Sequence, residues 1–215
     1  MNKVQNSSSL NFNLPTNICR LSRPFFVGKV LLLVALAMSA ADAAIDFTPV
    51  TGERHQEGVI FKQLIFREKD RKITYEQPEG WTYSGNSGGL RLTPPNVAQA
   101  QADIEQSALR APQPIDEAAL RDLAMKTIPA GSVQAIIVGE EQNPLRINNQ
   151  DTFGVTINYL LHGQEYTANV LFANLNDTQL RFRFVARKQD FEKLFRAFRG
   201  SLFLLQWAEA PRTTP

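Results

Sequence analysis

The sequence predicts an α+β fold, an antiparallel sheet covered by helices, and three observations carry that expectation. Residues 153–184 contain three successive runs in which apolar and polar side chains alternate, separated by short turns. Two other stretches, one starting at Asp116 and one starting near Phe191, place apolar residues at helical spacing. The rest of the chain is cut by Gly and Pro into strand-length pieces, and sheets with one apolar face bury it most readily under amphipathic helices.

Residues 1–43 read as a secretory leader. The stretch Met1–Pro24 is Ser- and Asn-rich and carries only positive charge, Val30–Ala41 is an apolar run, and Ala41-Asp42-Ala43 offers the small-x-small pattern of a cleavage site, placing the cut after Ala43. An uncleaved anchor is the alternative, but the apolar run falls well short of the ~20 residues that cross a bilayer as a helix. Ser22-Arg23-Pro24-Phe25-Phe26 lacks the second arginine of a twin-arginine signal, and no Cys stands at the cut to accept a lipid. The location expected is therefore periplasmic or secreted. A long acid-free N-terminal region also suits an organelle transit peptide followed by a lumenal signal.

Residues 44–57, with Pro49 and Gly52, read as a loose lead-in, and a single α+β domain is expected over 58–207. Val59–Phe66 and Lys72–Tyr75 flank the charged turn Glu68-Lys69-Asp70-Arg71 and predict a hairpin. Pro78-Glu79-Gly80 stops it, and Ser84–Gly89 reads as a flexible turn before a short strand at Leu90–Thr93. Ala98–Ser107 alternates with period two, which argues for a strand with one wet face. Asp116-Glu117 then open a helix with the apolar stripe Leu120, Leu123, Ala124 and Ile128, ended by Pro129-Ala130-Gly131. The meander follows: Phe153–Leu161, a turn at His162-Gly163-Gln164, Tyr166–Phe172, a turn at Asn174–Asp177, and Leu180–Phe184. Phe191, Leu194, Phe195 and Phe198 form one face of a closing helix, and residues 208–215 are expected to be a disordered tail.

Charge and cysteine content exclude whole classes of function once the leader is set aside. Four of the 23 basic residues and one of the 21 acidic residues lie within 1–43, so the remainder carries a net charge of −1 and shows no basic excess suited to nucleic acid. The single cysteine, Cys19, also lies in the leader, which removes disulfides and thiol catalysis from the exported part.

The segment Tyr75-Glu76-Gln77-Pro78-Glu79-Gly80-Trp81, followed by a short strand, a central helix, a meander and a Phe-rich helix ending in Gly200-Ser201-Leu202-Phe203, resembles the PsbP-like α/β/α sandwich superfamily, which includes the Ran-binding Mog-type proteins and many small exported bacterial proteins of unknown role. The resemblance covers about 150 residues and its motifs are structural. It implies a sheet between helices with Trp81 packed at the start of the domain, and a binding or accessory role in place of catalysis. It transfers no site residue.

The residues themselves offer few chemical constellations. His55 and His162 are far apart and lack partners at ligand spacing, so neither a metal nor another cofactor is expected. Gly85-Asn86-Ser87-Gly88-Gly89 has neither the spacing of a nucleophile elbow nor the Lys and Ser/Thr of a phosphate loop. Asp103 and Glu105 share one strand face, which would suit acid/base work, weak Ca²⁺ binding or simply a wet face. Arg181 and Arg183 share another, with Thr167 and Asn169 as candidate neighbours, and could meet an acidic partner or anionic head groups. Trp81 with Tyr83 could stack on a sugar or anchor the core. The expected function is that of an exported, non-catalytic binding or accessory protein with a protein partner in the cell envelope; the alternative is a small-ligand carrier or hydrolase with a dispersed acidic and arginine site.

Overall fold

Eleven strands and two helices succeed one another in the computed structural model, which describes residues 45–69 and 71–208: β1 (Asp46–Gln56), β2 (Val59–Glu68), β3 (Arg71–Tyr75), β4 (Thr82–Asn86), β5 (Gly89–Thr93), β6 (Gln101–Ala108), α1 (Glu117–Lys126), β7 (Val133–Gln142), β8 (Thr152–Leu161), β9 (Gln164–Asn174), β10 (Thr178–Arg187), α2 (Lys188–Leu202) and β11 (Gln206–Trp207). The leader, its cut after Ala43 and the tail beyond Ala208 lie outside the described residues. Among the described residues no helix is long and apolar enough to cross a membrane.

The strands form two antiparallel sheets, a seven-stranded one in the order β4-β5-β6-β10-β9-β8-β7 and a four-stranded one in the order β1-β2-β3-β11. Alternation decides which side chains go where. On β10, Leu180, Phe182, Phe184 and Ala186 point to one face and join Leu90, Leu92, Ala102 and Ile104 of β5 and β6. Onto that face pack α2, through Phe191, Phe198 and Leu202, and the small sheet, through Phe47, Leu64, Phe66, Ile73 and Tyr75. The opposite face of the large sheet, at Phe153, Val155, Ile157, Val170 and Phe172, is covered by Leu120 and Ala124 of α1. The architecture is thus α+β, with helices on both faces of an antiparallel sheet, as the sequence predicts.

Local chemistry explains the ends of the elements. Asp116 caps α1 by accepting the backbone N–H of Ala119 at 3.2 Å. The β8–β9 turn is a two-residue loop with φ of 51° at His162 and 75° at Gly163, both left-handed, as a hairpin turn that matches strand twist requires.

Four strands were not expected, the two-residue β11 and three longer ones. Residues 46–56 are strand β1, not a loose lead-in: Phe47 is buried, and Gln106 of β6 donates to the Ile45 carbonyl and accepts its N–H at 3.0 Å, so Ile45 already belongs to the fold. Strand β4 occupies part of the Gly-rich segment read as a flexible turn, because a side chain at Gly85 would strike the Phe47 carbonyl where β1 crosses it. Strand β7 edges the large sheet and shows no clean alternation because its register with β8 shifts twice and Gln134 has φ of 54°.

Tyr75 joins the small sheet to α2. Its hydroxyl lies 2.7 Å from Ser201 Oγ, and Ser201 in turn donates to the Phe198 carbonyl at 2.7 Å, which leaves Tyr75 as the donor of the pair. Burial pushes the Tyr75 phenol well above its ordinary value, since a phenolate there would lose its hydration, while the Ser201 contact works weakly in the other direction. A group with a raised folded-state pKa contributes stability that is complete below its unfolded value, about pH 10, and is lost as the pH rises beyond it. Urea midpoints should therefore fall above about pH 10. Tyr75→Phe should make that fall shallower while costing about 1 kcal/mol at neutral pH; an unchanged alkaline slope would disprove this account.

Candidate functional site

The antiparallel register brings together two pairs that the sequence left on separate strands. Arg183 of β10 lies directly opposite Asp103 of β6, Arg181 lies opposite Glu105, and on the other side of β6 Arg91 of β5 lies opposite Asp103. Because their neighbours in sequence point into the aromatic core, these five side chains share the outer face of the sheet. Asp103 is 6% exposed and accepts from Arg91 Nε at 3.0 Å, from Arg183 at 3.4 Å and from Gln101 Nε2 at 2.7 Å. Glu105 pairs with Arg181 nearer to solvent. The row carries one net positive charge, and beside it a groove of about 400 Å³ is lined by Ser84, Asn86, Arg91, Asp103 and Glu105.

Each sequence candidate now has a definite setting. Arg181 and Arg183 are both ion-paired, and the Arg183 side chain is only 14% exposed. Thr167 and Asn169 are not their neighbours: register places Phe172 and Val170 opposite the arginines, while Thr167 and Asn169 lie on the other face, bonded to Asn158 and Thr156. Trp81 is buried, with ring centroids 6.5 Å from Phe198 and 6.1 Å from Phe184, so it anchors the core and offers no free ring face to a sugar. His162 is exposed in its turn, and His55 is exposed beside Glu53 at 3.7 Å. Among the described residues no group of three or more His, Cys, Asp or Glu side chains is arranged to hold a metal ion.

A second feature escaped the sequence reading. The hairpin β1–β2 outruns its sheet, because β3 pairs with Leu64–Glu68 and leaves Val59–Gln63 of β2 with β1 as their only strand neighbour among the described residues. Val59, Ile60 and Phe61 are accordingly 53%, 56% and 37% exposed in this arm. The arm is moored by Arg54, whose guanidinium sits 4.7 Å from the centre of the Phe61 ring and whose Nε donates to Glu76 at 2.8 Å. β-branched and aromatic content marks Val59–Phe66 as strand, but only the shortness of the β3 run before Pro78 signals that its first half lacks a partner.

No protein-family model matches the sequence, and no curated protein is similar to it. Several solved structures share part of its shape. A Bacteroides thetaiotaomicron protein is 14% identical with a TM-score of 0.42, over 66% of this chain and 47% of its own length, so the chain spans about half of that protein. Cyanobacterial PsbP (CyanoP) from Synechocystis sp. PCC 6803 is 12% identical with a TM-score of 0.48, over 79% of this chain and 96% of that one. The Saccharomyces cerevisiae Ran-binding protein Mog1p is 10% identical with a TM-score of 0.39, over 69% and 84%. At these values the likeness stops at general architecture and assigns no family.

Chemically the charged row suits register control better than proton transfer. Asp103 is held by three donors, and sliding β10 by two residues along β6 in either direction would keep only one of the two arginine–carboxylate pairings, Arg183 with Glu105 or Arg181 with Asp103. The two pairs should differ sharply in worth. Asp103→Ala leaves the enclosed Arg183 without its carboxylate and should cost about 3 kcal/mol in chemical denaturation, whereas Glu105→Ala should cost under about 1 kcal/mol because its partner stays hydrated. Equal losses would contradict the assigned roles.

Proposed function

We propose that this chain is an exported, non-catalytic binding or accessory protein of the cell envelope that docks a protein partner on the β1–β2 arm. The observation that carries the reading is the exposure of Val59, Ile60 and Phe61 on a two-stranded ribbon whose outer backbone edges have no strand neighbour among the described residues. Apolar side chains beside free backbone donors and acceptors suit a partner that supplies both apolar pockets and hydrogen bonds, which is the chemistry of another polypeptide. An anionic membrane surface would call for a cationic arm. Here Arg54 and Lys62 are balanced by Glu53 and Glu57, so the arm has no net charge. The apolar run Val30–Ala41 and the Ala41-Asp42-Ala43 pattern support export, with cleavage after Ala43.

A photo-crosslinking residue placed at Ile60 should capture a discrete protein in envelope fractions, and the same residue at Glu165, in the β8–β9 hairpin, should not. Ile60→Asp should weaken recovery of that protein at least about tenfold, the loss typical of a buried apolar anchor. Identical products from both positions would sink the arm as the docking site. N-terminal sequencing of the exported protein should begin at Ala44; a sequence starting at Met1 would refute the cleavage.

A further inference from the structure

A cleft of about 460 Å³ opens at the end of the large sheet where the loop from β7 to β8, the approach to α1 and the end of β9 meet. Six of its lining side chains are amides: Gln113, Gln142, Asn143, Asn149, Gln150 and Asn174. Such a density of one chemical group is not needed to hold the loop together, because a subset already does so. Asn143 accepts the Thr152 N–H at 3.0 Å and donates its own N–H to the Thr152 carbonyl at 2.8 Å. Asn174 donates to the carbonyls of Gln113 and Pro114 at 3.2 and 3.3 Å and accepts from Gln179 at 2.8 Å. Leu145 and Ile147, 5% and 1% exposed, root the loop in the main core, and Ile147 and Gln150 exchange backbone hydrogen bonds at 3.2 and 2.9 Å.

With the walls fixed in this way, the side-chain amides of Gln113, Asn149 and Gln150 have no hydrogen-bond partner among the described residues, and Gln142 spends only its Nε2, on Glu117. An amide presents a donor and an acceptor side by side, and this matches a hydroxyl pair, in which each group both donates and accepts. The charges lining the cleft point the same way. Among the described residues Arg146 is the one cation lining the cleft; it is paired with Asp151 at 3.2 Å, and Glu117 is paired with Arg121 at 3.2 Å, so this lining offers no unpaired cation to draw phosphate or another anion. Pro114 and Ile115 add a small apolar surface. The volume lies within the range of small-ligand sites, roughly 300–1,000 Å³.

We propose that this cleft binds a neutral saccharide, its hydroxyls read by the amides of Gln113, Gln142, Asn149 and Gln150 and its C–H face resting on Pro114 and Ile115. An extended peptide is the rival occupant for an amide-rich wall. It would need a free strand edge, and of the strand residues lining the cleft Thr152, Phe153 and Asn174 lie on the interior strands β8 and β9, which leaves only Gln142, the last residue of the edge strand β7, open on one side. The proposal stands apart from docking on the arm, since the cleft shares no residue with it.

The test is a titration of the isotopically labelled full chain, read by NMR, with maltotriose, cellotriose and chitotriose as probes and with inorganic phosphate and a Gly-Ala-Ala tripeptide as rivals. At least one trisaccharide should produce saturable shifts in the side-chain amides of Asn149 and Gln150. Gln113→Ala combined with Gln150→Ala should weaken that binding about tenfold or more, the consequence of losing one to two net hydrogen bonds, while leaving resonances of the main core in place. Asn149→Gly, which keeps the left-handed backbone at φ of 63°, should weaken it independently of any loop rearrangement. The proposal is overturned if no trisaccharide shifts these amides up to its solubility limit, if shifts centre outside the cleft, or if phosphate or the tripeptide produces the cleft shifts in place of a sugar.

Discussion

Strand β10 has to satisfy two environments at once, and most of the structure follows from how it does so. It lies between β6 and β9, so it has no free backbone edge and its register is set from both sides. One face delivers Phe182 and Phe184 to the core, where the Phe184 ring meets Trp81, Phe191, Phe195 and Phe198 within 6.1 Å between centroids. Burying a Phe side chain stabilises by about 2–3 kcal/mol, and well-oriented ring pairs add about 1 kcal/mol each. The other face carries Arg181, which stays partly hydrated beside Glu105, and Arg183, which loses hydration as the sheet forms and is compensated only if β6 presents Asp103 in the right register. Aromatic burial supplies the stabilisation and the charged row selects the one alignment that keeps it.

That division explains what the sequence could and could not reveal. The meander and both helices were legible because each repeats a simple period: alternation on β8, β9 and β10, and the Phe191, Leu194, Phe195, Phe198 stripe on α2. Strand β1 was not, because Phe47 is its only fully buried residue and β2 and Gln106 hold the rest through backbone and amide contacts. Strand β7 was hidden by its two register shifts, which scatter Val133, Ile136 and Val138 onto exposed positions. The same bulges twist that apolar edge and so blunt it against strand addition.

At the candidate sites the limit was pairing. Asp103 and Glu105 could be read as a carboxylate row and Arg181 and Arg183 as a basic row, each apparently free, since nothing in a single sequence states that Asp103 answers to Arg183, 80 residues away. Register turned two possible ligand sites into one ion-paired seam. Trp81 was legible as either platform or anchor, and its burial against the rings of Phe184 and Phe198 decides for anchor. The amide cleft is assembled from four separate segments between Gln113 and Asn174, too dispersed for any spacing rule to gather.

The arm shows how an apolar surface can remain exposed in a stable chain. A two-stranded ribbon alone is marginal in water, and Val59, Ile60 and Phe61 gain nothing from the core. Arg54 changes that balance by covering the Phe61 ring with its guanidinium while its Nε reaches Glu76 beyond the small sheet, so one side chain ties the ribbon to the body. A tethered arm gives up less conformational freedom on docking than a loose one, which leaves more of the apolar burial to appear as affinity. Flanking charges of both signs at Glu53, Arg54, Glu57 and Lys62 keep the ribbon soluble without giving it a preference for charged surfaces. The features that make β1–β2 poor as core therefore make it fit for recognition, and the cost of its exposure is offset by an anchor that lies outside the apolar patch itself.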